Sequence, residues 1–407
     1  MADKIWILNI DDFMFKSQAV SALKKHSLPY INLLKPADIC IISPLVQKDE
    51  YFTAYVEAVK KLTNKKWIYQ PKKQAKDQTL INAIMKDEKL IAQIKKLCKQ
   101  NFVLIPLIYT EEFAKLSKKV GNKLLNNSIA VQEANNKLLF KELCQEFGVK
   151  TMKPVFEKQG GKNKSRVLAF IDFNETYLLR RPFSAGGYGN IKGKIIDLLP
   201  LIRQYHKDGD FYIEKFKEIY KTLGSLCILK DDGIQWVGID WQFVHRAGSE
   251  GRAFPFKKMD KAILDRIKEK SLQMAEYYHK KGVRGHVNFD WAIRIIDGQY
   301  KLRALECNSR YNGFGIAVRI ASTVFNIPKE KLNFYLDTNV PVDEELTTKD
   351  ILEIIFDINS SVRFKGGIAL TAGVKNGKLG VCYIGTSHKN VQLLILALKR
   401  KLKALEK

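Results

Sequence analysis

The sequence lacks the cysteine spacings of a zinc site or a disulfide framework. No CxxC pair occurs, and the six cysteines are widely scattered, at Cys40, Cys98, Cys144, Cys227, Cys307 and Cys382. Reduced thiols that serve as packing residues in a cytosolic protein are predicted by this pattern.

Long apolar runs are absent as well. Nowhere do about eighteen apolar residues run together, which a membrane-spanning helix would need. The first residues, MADKIWILNIDDF, contain too short an apolar run and too many acids for a signal peptide. We therefore expect a soluble, cytoplasmic protein without a membrane partner.

Acidic residues are few compared with basic ones: 43 Asp and Glu against 69 Lys and Arg, a net charge of +26. The lysines are dispersed in pairs such as Lys60-Lys61 and Lys95-Lys96, and the only local concentration is the helical tail, residues 398–407. No RNP, zinc-finger or basic-zipper pattern accompanies the charge. A solvated basic surface is favoured and nucleic acid is not the expected partner, although nucleic-acid binding through that surface stays an alternative.

Several catalytic and nucleotide-binding motifs are missing too. There is no Walker A loop, and the first apolar run leads into Asp11-Asp12-Phe13 instead of a GxGxxG fingerprint. No GxSxG motif or triad-like cluster occurs, so a nucleophilic serine or cysteine is not indicated.

The 407 residues that are present suggest two to three packed units. Short apolar runs at residues 4–10, 38–43 and 102–108 alternate with helix-like segments such as 17–25 and 51–62. This βα alternation predicts a largely parallel N-terminal sheet, which we interpret as a scaffold or substrate platform.

A predicted β-hairpin, HVNFDWAIRIIDGQYKLRALECNSR at residues 286–310, organises the rest of the chain. Two alternating apolar runs flank the triplet Asp297-Gly298-Gln299, which reads as the turn. With that triplet as the tip, Asp290 and Glu306 lie opposite each other. Like charges in directly opposed positions destabilise a hairpin, so a cation is expected between them.

Mg²⁺ meets that need because it binds carboxylate and amide oxygens and keeps positions open for phosphate. Asn308, two residues beyond Glu306 on the same strand face, offers a third oxygen, and Arg310 adds a fixed cation two residues further on. A solvated hairpin is the alternative. A bulge that slips the register by one residue would also separate the two acids.

Lys137 is the first candidate phosphate ligand. It opens an amphipathic helix, NKLLFKELCQEF, that Gly148 ends. A lysine there does not complement the helix dipole, so it is either a surface lysine or a phosphate ligand.

A glycine-rich loop follows the strand that ends in Arg180-Arg181-Pro182. Its glycines, Gly186, Gly187 and Gly189, let backbone amides approach an anion, and such a loop can close over a triphosphate. A Gly-rich hairpin turn is the alternative interpretation.

The order of these elements resembles the ATP-grasp superfamily over roughly residues 120–330: a helix with a leading Lys, a basic strand end, the Gly-rich loop, the strand YIEKF and a carboxylate hairpin ending in E-x-N-x-R. The resemblance implies an α/β fold of the α+β ATP-grasp type. A parallel-sheet pre-ATP-grasp domain is expected over 1–120, the ATP-grasp module of two α+β subdomains over 121–335, and an α/β segment packed on it over 336–407. The stretch HRAGSEGRAFPF and the preceding βα domain look like peptide ligases of the pheganomycin type, whose residues after E-x-N-x-R are not reproduced in RYNGFGIAV.

The resemblance implies roles for individual residues. ATP would be bound by Lys137, Arg181, Ser184, Gly186, Gly187, Gly189, Glu214, Lys215, Phe216 and Glu218. In that set the segment 214–216 would be the hinge that reads adenine, and Glu218 would bind ribose. Asp290, Glu306 and Asn308 would hold Mg²⁺, with Mn²⁺ as a substitute, and Arg310 would stabilise the charge of phosphoryl transfer. The family usually has Lys where Arg181 stands, and either Arg180 or Arg181 fits that position.

The implied reaction is an ATP-dependent ligation of a carboxylate to an amine through an acylphosphate, with release of ADP and phosphate. Small-molecule carboxylates and amines, such as amino acids or peptides, are the expected substrates, and a homodimer is kept as an assembly option. His245, Arg246 and Arg252 lie in or beside the polar loop HRAGSEGR, where an Arg is expected to hold the substrate carboxylate. A solvated basic loop is the alternative there, and an inactive ATP-grasp-like regulatory protein is the alternative for the whole chain.

Overall fold

The computed structural model describes residues 3–13, 28–35, 37–46, 52–54, 68–75, 77–159, 162–164, 172–184, 190–245, 248–361 and 365–405. The predicted helix at 17–25, most of the one at 51–62, the loop glycines Gly186, Gly187 and Gly189, and Arg246 lie outside these residues. Within them, no helix combines the length and the apolar character that crossing a bilayer requires.

The described chain folds into two compact units. One, here called the terminal unit, comprises Met1–Ser128, Gly251–Pro255 and Arg310–Lys407. The other, the central unit, comprises Ile129–Glu250 and Phe256–Ser309.

The N-terminal part of the terminal unit is a parallel βα structure, as predicted. Its elements are β1 (Lys4–Ile7), β2 (Ile39–Ile41), β3 (Ile68–Tyr69), α1 (Leu80–Lys86), α2 (Glu88–Lys99), β4 (Val103–Pro106) and α3 (Glu111–Lys119). The strands are parallel in the order β3-β2-β1-β4. Each helix begins at a side-chain cap, which is Thr79, Asp87 or Thr110, and the apolar faces pack on Ile5, Ile7 and Leu104.

The middle of the chain supplies the elements of the candidate site. In chain order they are α4 (Ser128–Asn135), α5 (Lys137–Glu146), β5 (Pro154–Gln159), β6 (Lys162–Lys164), β7 (Thr176–Arg180), β8 (Ile191–Lys194), α6 (Ile195–Asp208), β9 (Phe211–Lys215), β10 (Lys221–Lys230), β11 (Gly233–His245), β12 (Gly248–Phe254), α7 (Lys261–Lys280), β13 (Gly285–Ile296) and β14 (Gln299–Asn308).

Two antiparallel sheets form the central unit. The first has the order β6-β5-β9-β7-β8, and α6 packs on it through a core that includes Leu179, Leu198 and Phe211. The second places β14, β13, β10 and β11 side by side, with α7 packed on β10 and β11 and α5 on β14. The ends of β7 and β9 and one face of the second sheet carry the polar residues described below.

The rest of the terminal unit is α/β as well. It contains α8 (Gly313–Thr323), β15 (Asn333–Pro341), α9 (Thr348–Ser360), β16 (Gly366–Lys375), β17 (Lys378–Gly385) and α10 (His388–Lys403). Residues 251–254 of β12 pair with β15, β15 pairs antiparallel with β17, and β17 pairs antiparallel with β16. The helices α9 and α10 pack on these strands. The parallel N-terminal sheet and the antiparallel sheets together confirm the predicted fold class.

All six cysteines are free thiols, and five are buried, which agrees with the predicted packing role. Burial raises the pKa of Cys144 and of Cys227 to about 12. These two thiols therefore stay protonated at neutral pH and are poor nucleophiles.

Candidate active site

The carboxylate hairpin turns more tightly than predicted. Ile296 pairs with Gln299, so the turn is the two residues Asp297-Gly298, and the predicted three-residue tip is wrong. Both turn residues have positive φ, 52° and 70°, as the twist of a two-residue hairpin requires.

A β-bulge restores the opposition of the two acids. Trp291 pairs with Ala304, but the next pair is Asp290 with Glu306, so Leu305 is the extra residue in β14. Without the bulge, Asp290 would face Leu305. The irregularity that could have separated the acids is therefore what brings them together.

Three oxygen-bearing side chains share one space on this hairpin. The Asn308 amide nitrogen donates to Asp290 Oδ2 at 3.0 Å and to Glu306 Oε1 at 3.4 Å. Asp290 and Asn308 are buried, at 7% and 4% exposure. If the Asn308 amide rotates by half a turn, its oxygen joins the two carboxylate oxygens, which gives the all-oxygen donor set that a hard cation prefers. Among the described residues no three carboxylate, imidazole or thiol groups converge, so a cation here would rely on two carboxylates and an amide.

Lys137 is buried and points to the same place. Asn136 caps α5, and the Lys137 backbone N–H donates to the Pro182 carbonyl at 3.0 Å. Its ammonium donates to the Ser184 carbonyl at 3.1 Å and hydroxyl at 3.0 Å, and it lies 3.4 Å from Glu306 Oε2. These contacts argue against the surface-lysine interpretation.

Arg180, not Arg181, joins this cluster. The Arg180 guanidinium donates to Glu306 Oε2 at 3.0 Å, to Glu214 Oε1 at 3.1 Å and to Asn190 Oδ1 at 3.2 Å. Arg181 is directed elsewhere: it donates to the Asp210 carbonyl at 3.1 Å and lies 3.9 Å from the centre of the Tyr205 ring. Successive strand residues face opposite sides, so only one of the two arginines can reach the carboxylates.

Glu214 lies between two buried cations. Its other oxygen accepts from Lys141 at 3.0 Å, and Lys141 also donates to the Met152 carbonyl at 2.7 Å. Burial alone would raise the pKa of Glu214, but Lys141 and Arg180 outweigh it and lower that pKa. Burial would lower the pKa of the Arg180 guanidinium, but Tyr212, Glu214 and Glu306 outweigh it and raise that pKa.

Tyr212 lies under these cations, with both Lys141 and the Arg180 guanidinium 5.8 Å from its ring centre. Burial is the main cause that raises the pKa of the Tyr212 hydroxyl far above its ordinary value. Three cations, Lys137, Lys141 and Arg180, thus contact two of the carboxylates, Glu214 and Glu306.

The rest of the predicted ATP-binding set lies on β9 and just after it. Glu214 pairs with Lys141 and Arg180, and Lys215 pairs with Glu175. The Phe216 N–H donates to the Thr176 carbonyl at 2.8 Å, so reading of adenine would fall to other backbone groups of the hinge. Glu218 has an exposed side chain, and its carbonyl accepts from Arg294 at 3.2 Å.

The predicted substrate and transfer residues lie on β11, on β12, between these two strands and just after β14. His245 ends β11, Arg246 lies outside the described residues, and Arg252 is buried in the terminal unit, where it lies next to Gly313 and is paired in register with Leu336. Arg310 belongs to the terminal unit too. It lies near Tyr30, whose pKa is raised by burial, and the charge of Arg310 partly opposes that rise.

Three further polar residues were missed from the sequence: Lys141, which contacts Glu214, and Gln242 and Asn288, which contact Asp290. Lys141 is one helical turn after Lys137, a spacing that places both on one face of α5. Asn288 precedes Asp290 by two residues, a spacing that signals a shared strand face.

Comparisons with known proteins come from structure alone, since the chain matches no protein family model and no curated protein. A similar solved structure is the ADP complex of an N5-carboxyaminoimidazole ribonucleotide synthetase, with a TM-score of 0.59 and 11% identity over 99% of this chain and 98% of that one. Biotin carboxylase from Campylobacter jejuni gives a TM-score of 0.60 and 14% identity over 98% of this chain and 91% of that one. The chain has the ATP-grasp fold.

A third ATP-grasp structure, the N5-carboxyaminoimidazole ribonucleotide synthetase from Thermus thermophilus, gives a TM-score of 0.57 and 13% identity over 99% of both chains. The ATP-grasp likeness therefore extends over nearly the whole chain. At these identities it concerns the fold, and the narrower likeness to peptide ligases stays a prediction.

Proposed function

We propose that this protein is an ATP-dependent ligase that joins a carboxylate to an amine through an acylphosphate. The observation that carries the proposal is the convergence of Lys137 and Arg180 on Glu306, opposite Asp290, in a chain of ATP-grasp fold. Buried cations beside a carboxylate pair are what a metal-bound triphosphate needs.

Phosphate binding falls to Lys137 and Arg180 in this proposal. Both are buried and fixed by hydrogen bonds, Lys137 to Ser184 and Arg180 to Glu214. Ser184 leads into the glycine loop, so its carbonyl and hydroxyl tie the phosphate-binding lysine to the start of that loop. Arg180 replaces Arg181 in the proposed set, because Arg181 is directed to Tyr205 and Asp210.

Asp290, Glu306 and Asn308 would hold Mg²⁺, since their oxygens share one space and suit a hard cation. When bound, the ion would supply positive charge against the phosphate oxygens. Arg310 stays the proposed donor to charge that develops during phosphoryl transfer.

The chemistry balances without a protein nucleophile. A carboxylate oxygen of the substrate attacks the γ-phosphorus of ATP, and the bond from that phosphorus to the β-phosphate oxygen breaks, which releases ADP. The amine nitrogen then attacks the acyl carbon, the carbon–oxygen bond to phosphate breaks, and the nitrogen loses a proton. The products are an amide, ADP and phosphate.

Amino acids or peptides are the proposed substrates, with Arg252 or Arg246 holding the acid. The names of the structural neighbours describe carboxylation. Bicarbonate therefore belongs in the set of acids to be tried.

The test is ADP release over a matrix of amino acids, dipeptides and bicarbonate as acids against amino acids and other amines. We expect ADP to form with Mg²⁺ only when a suitable acid is present. Arg180→Gln should abolish the signal, whereas Arg203→Gln, which removes an exposed arginine on α6, should not. ADP release that is absent throughout the matrix, in protein that also fails to bind ADP, would refute the proposal.

A further inference from the structure

The two oxygens of Asp290 have different surroundings. Oδ2 faces the space shared with Glu306 and Asn308, where the Asn308 amide lies 3.0 Å away. Oδ1 accepts from two other amides, those of Gln242 and Asn288. The Asn288 nitrogen is 2.8 Å from Oδ1.

Gln242 reaches Asp290 from a strand that is not its neighbour. It lies on β11 and pairs with Thr222 of β10, whereas Asp290 lies on β13, beyond β10. The β10 residue opposite Asp290 is Gly224, which has no side chain to block the path. Gln242 is buried, so its amide is an ordered donor and not a surface group that happens to be near.

Asn288 contacts Asp290 along the same strand. The two residues are two positions apart on β13, so they share a face of the sheet. Asn288 is fully buried, and among the described residues its amide oxygen has no hydrogen-bond partner. A buried acceptor without a donor destabilises the fold, and an apolar residue would avoid that loss. The hydrogen bond that Asn288 donates to Asp290 is therefore the contact that explains an asparagine at this position.

We propose that Gln242 and Asn288 are positioning residues that anchor Oδ1 of Asp290 and thereby aim Oδ2 at the cation. This inference rests on the proposed function, because it concerns the same Mg²⁺ site. A carboxylate held at one oxygen by two amides cannot rotate, so its second oxygen is presented in a fixed direction. Partners of this kind typically change metal affinity by about 10- to 100-fold.

The experiment is a titration with Mn²⁺ alone, followed by electron paramagnetic resonance, on the full chain. Gln242→Met keeps the size and removes the donor, and Asn288→Leu does the same at the second amide. Each should raise the Kd for Mn²⁺ by about 10- to 100-fold. Binding of ADP without metal should not change, because neither amide is assigned to phosphate.

Ser225→Ala is the matched control. Ser225 is a buried residue of β10 on the opposite face of the sheet, where its hydroxyl bonds Ser271 at 2.7 Å and accepts from Trp291 at 2.9 Å. It should lower the melting temperature without changing the Kd for Mn²⁺. A purely structural role for Gln242 or Asn288 would give the same pattern as this control.

Wild-type affinity for Mn²⁺ in both Gln242→Met and Asn288→Leu would overturn this inference alone. If one variant does not fold, the other decides the outcome by itself. Wild-type protein that binds neither Mn²⁺ nor Mg²⁺–ADP would overturn the inference and the proposed function together.

Discussion

Replacing Glu306 by Gln should have opposite effects on nucleotide binding with and without metal. In the structure, the two proposed phosphate ligands are held by the proposed metal ligand: Arg180 lies 3.0 Å and Lys137 lies 3.4 Å from Glu306 Oε2. A nucleotide that binds without metal must draw these cations away from Glu306. In Glu306→Gln the cations lose that competitor and are more available to phosphate, but the cation site loses a charged oxygen.

The size of the effect follows from the contacts. Hydrogen bonds to charged groups contribute about 1.5–3 kcal/mol each, and the Glu306 side chain is 20% exposed, so solvent weakens these. Arg180 also keeps Glu214 as a partner in the variant. We therefore expect a gain near 1.4 kcal/mol, or about tenfold tighter ADP binding without metal. The Mg²⁺–ADP complex should bind at least about tenfold more weakly than to wild type.

Calorimetric titration of ADP, once with chelator and once with excess Mg²⁺, measures both effects. Glu276→Gln is the control, because it makes the same change in net charge at an exposed helix position, where Glu276 pairs with nearby Lys280. Its two affinities should equal those of wild type. If metal-free ADP binds no more tightly to Glu306→Gln than to this control, Arg180 and Lys137 do not leave Glu306 to bind phosphate, and the reasoning is refuted.

Three other variants, Glu214→Gln, Arg310→Ala and Arg252→Ala, give further predictions. Glu214→Gln should lower the free energy of unfolding by about 3–5 kcal/mol, because it leaves Lys141 and Arg180 buried without that charge, and denaturant titration measures the loss. The fold lowers the pKa of Glu214, so the ionised carboxylate stabilises the wild-type protein at pH values above the ordinary pKa of a glutamate. This stabilisation should be lost as the pH falls from the ordinary pKa towards the lowered one. The stability of Glu214→Gln should not change with pH in this way. Arg310→Ala should lower kcat by about 10² to 10³, with partial rescue by Arg310→Lys and an unchanged melt, whereas a change confined to the KM for ATP would assign it to ground-state binding. Arg252→Ala should raise the KM of the acid substrate more than that of ATP, and equal effects would indicate a structural role.

The opposition of Asp290 and Glu306 could be predicted from the sequence, but the two-residue turn and the bulge that produce it could not. Alternating apolar residues located both strands, and the Asp-Gly signal located the turn. The two-residue turn alone would have placed Leu305 opposite Asp290, and only the bulge corrects the register. A bulge depends on packing against neighbouring strands, which a local pattern does not encode.

The choice between Arg180 and Arg181 also needed the structure. Adjacent strand residues face opposite sides, and the sequence does not say which side of β7 faces the carboxylates. Gln242 was missed for a different reason. Its contact with Asp290 crosses β10, and the order β13-β10-β11 arises from pairing between strands that α7 separates in the chain.

The most direct test of the central claim follows an oxygen atom. A carboxylate substrate that supports ADP release is labelled with ¹⁸O, and the phosphate product is analysed by mass spectrometry. If the carboxylate is activated as an acylphosphate, one labelled oxygen passes from the acid to phosphate for each amide formed. Unlabelled phosphate, formed in step with the amide, would contradict the proposed ligase mechanism.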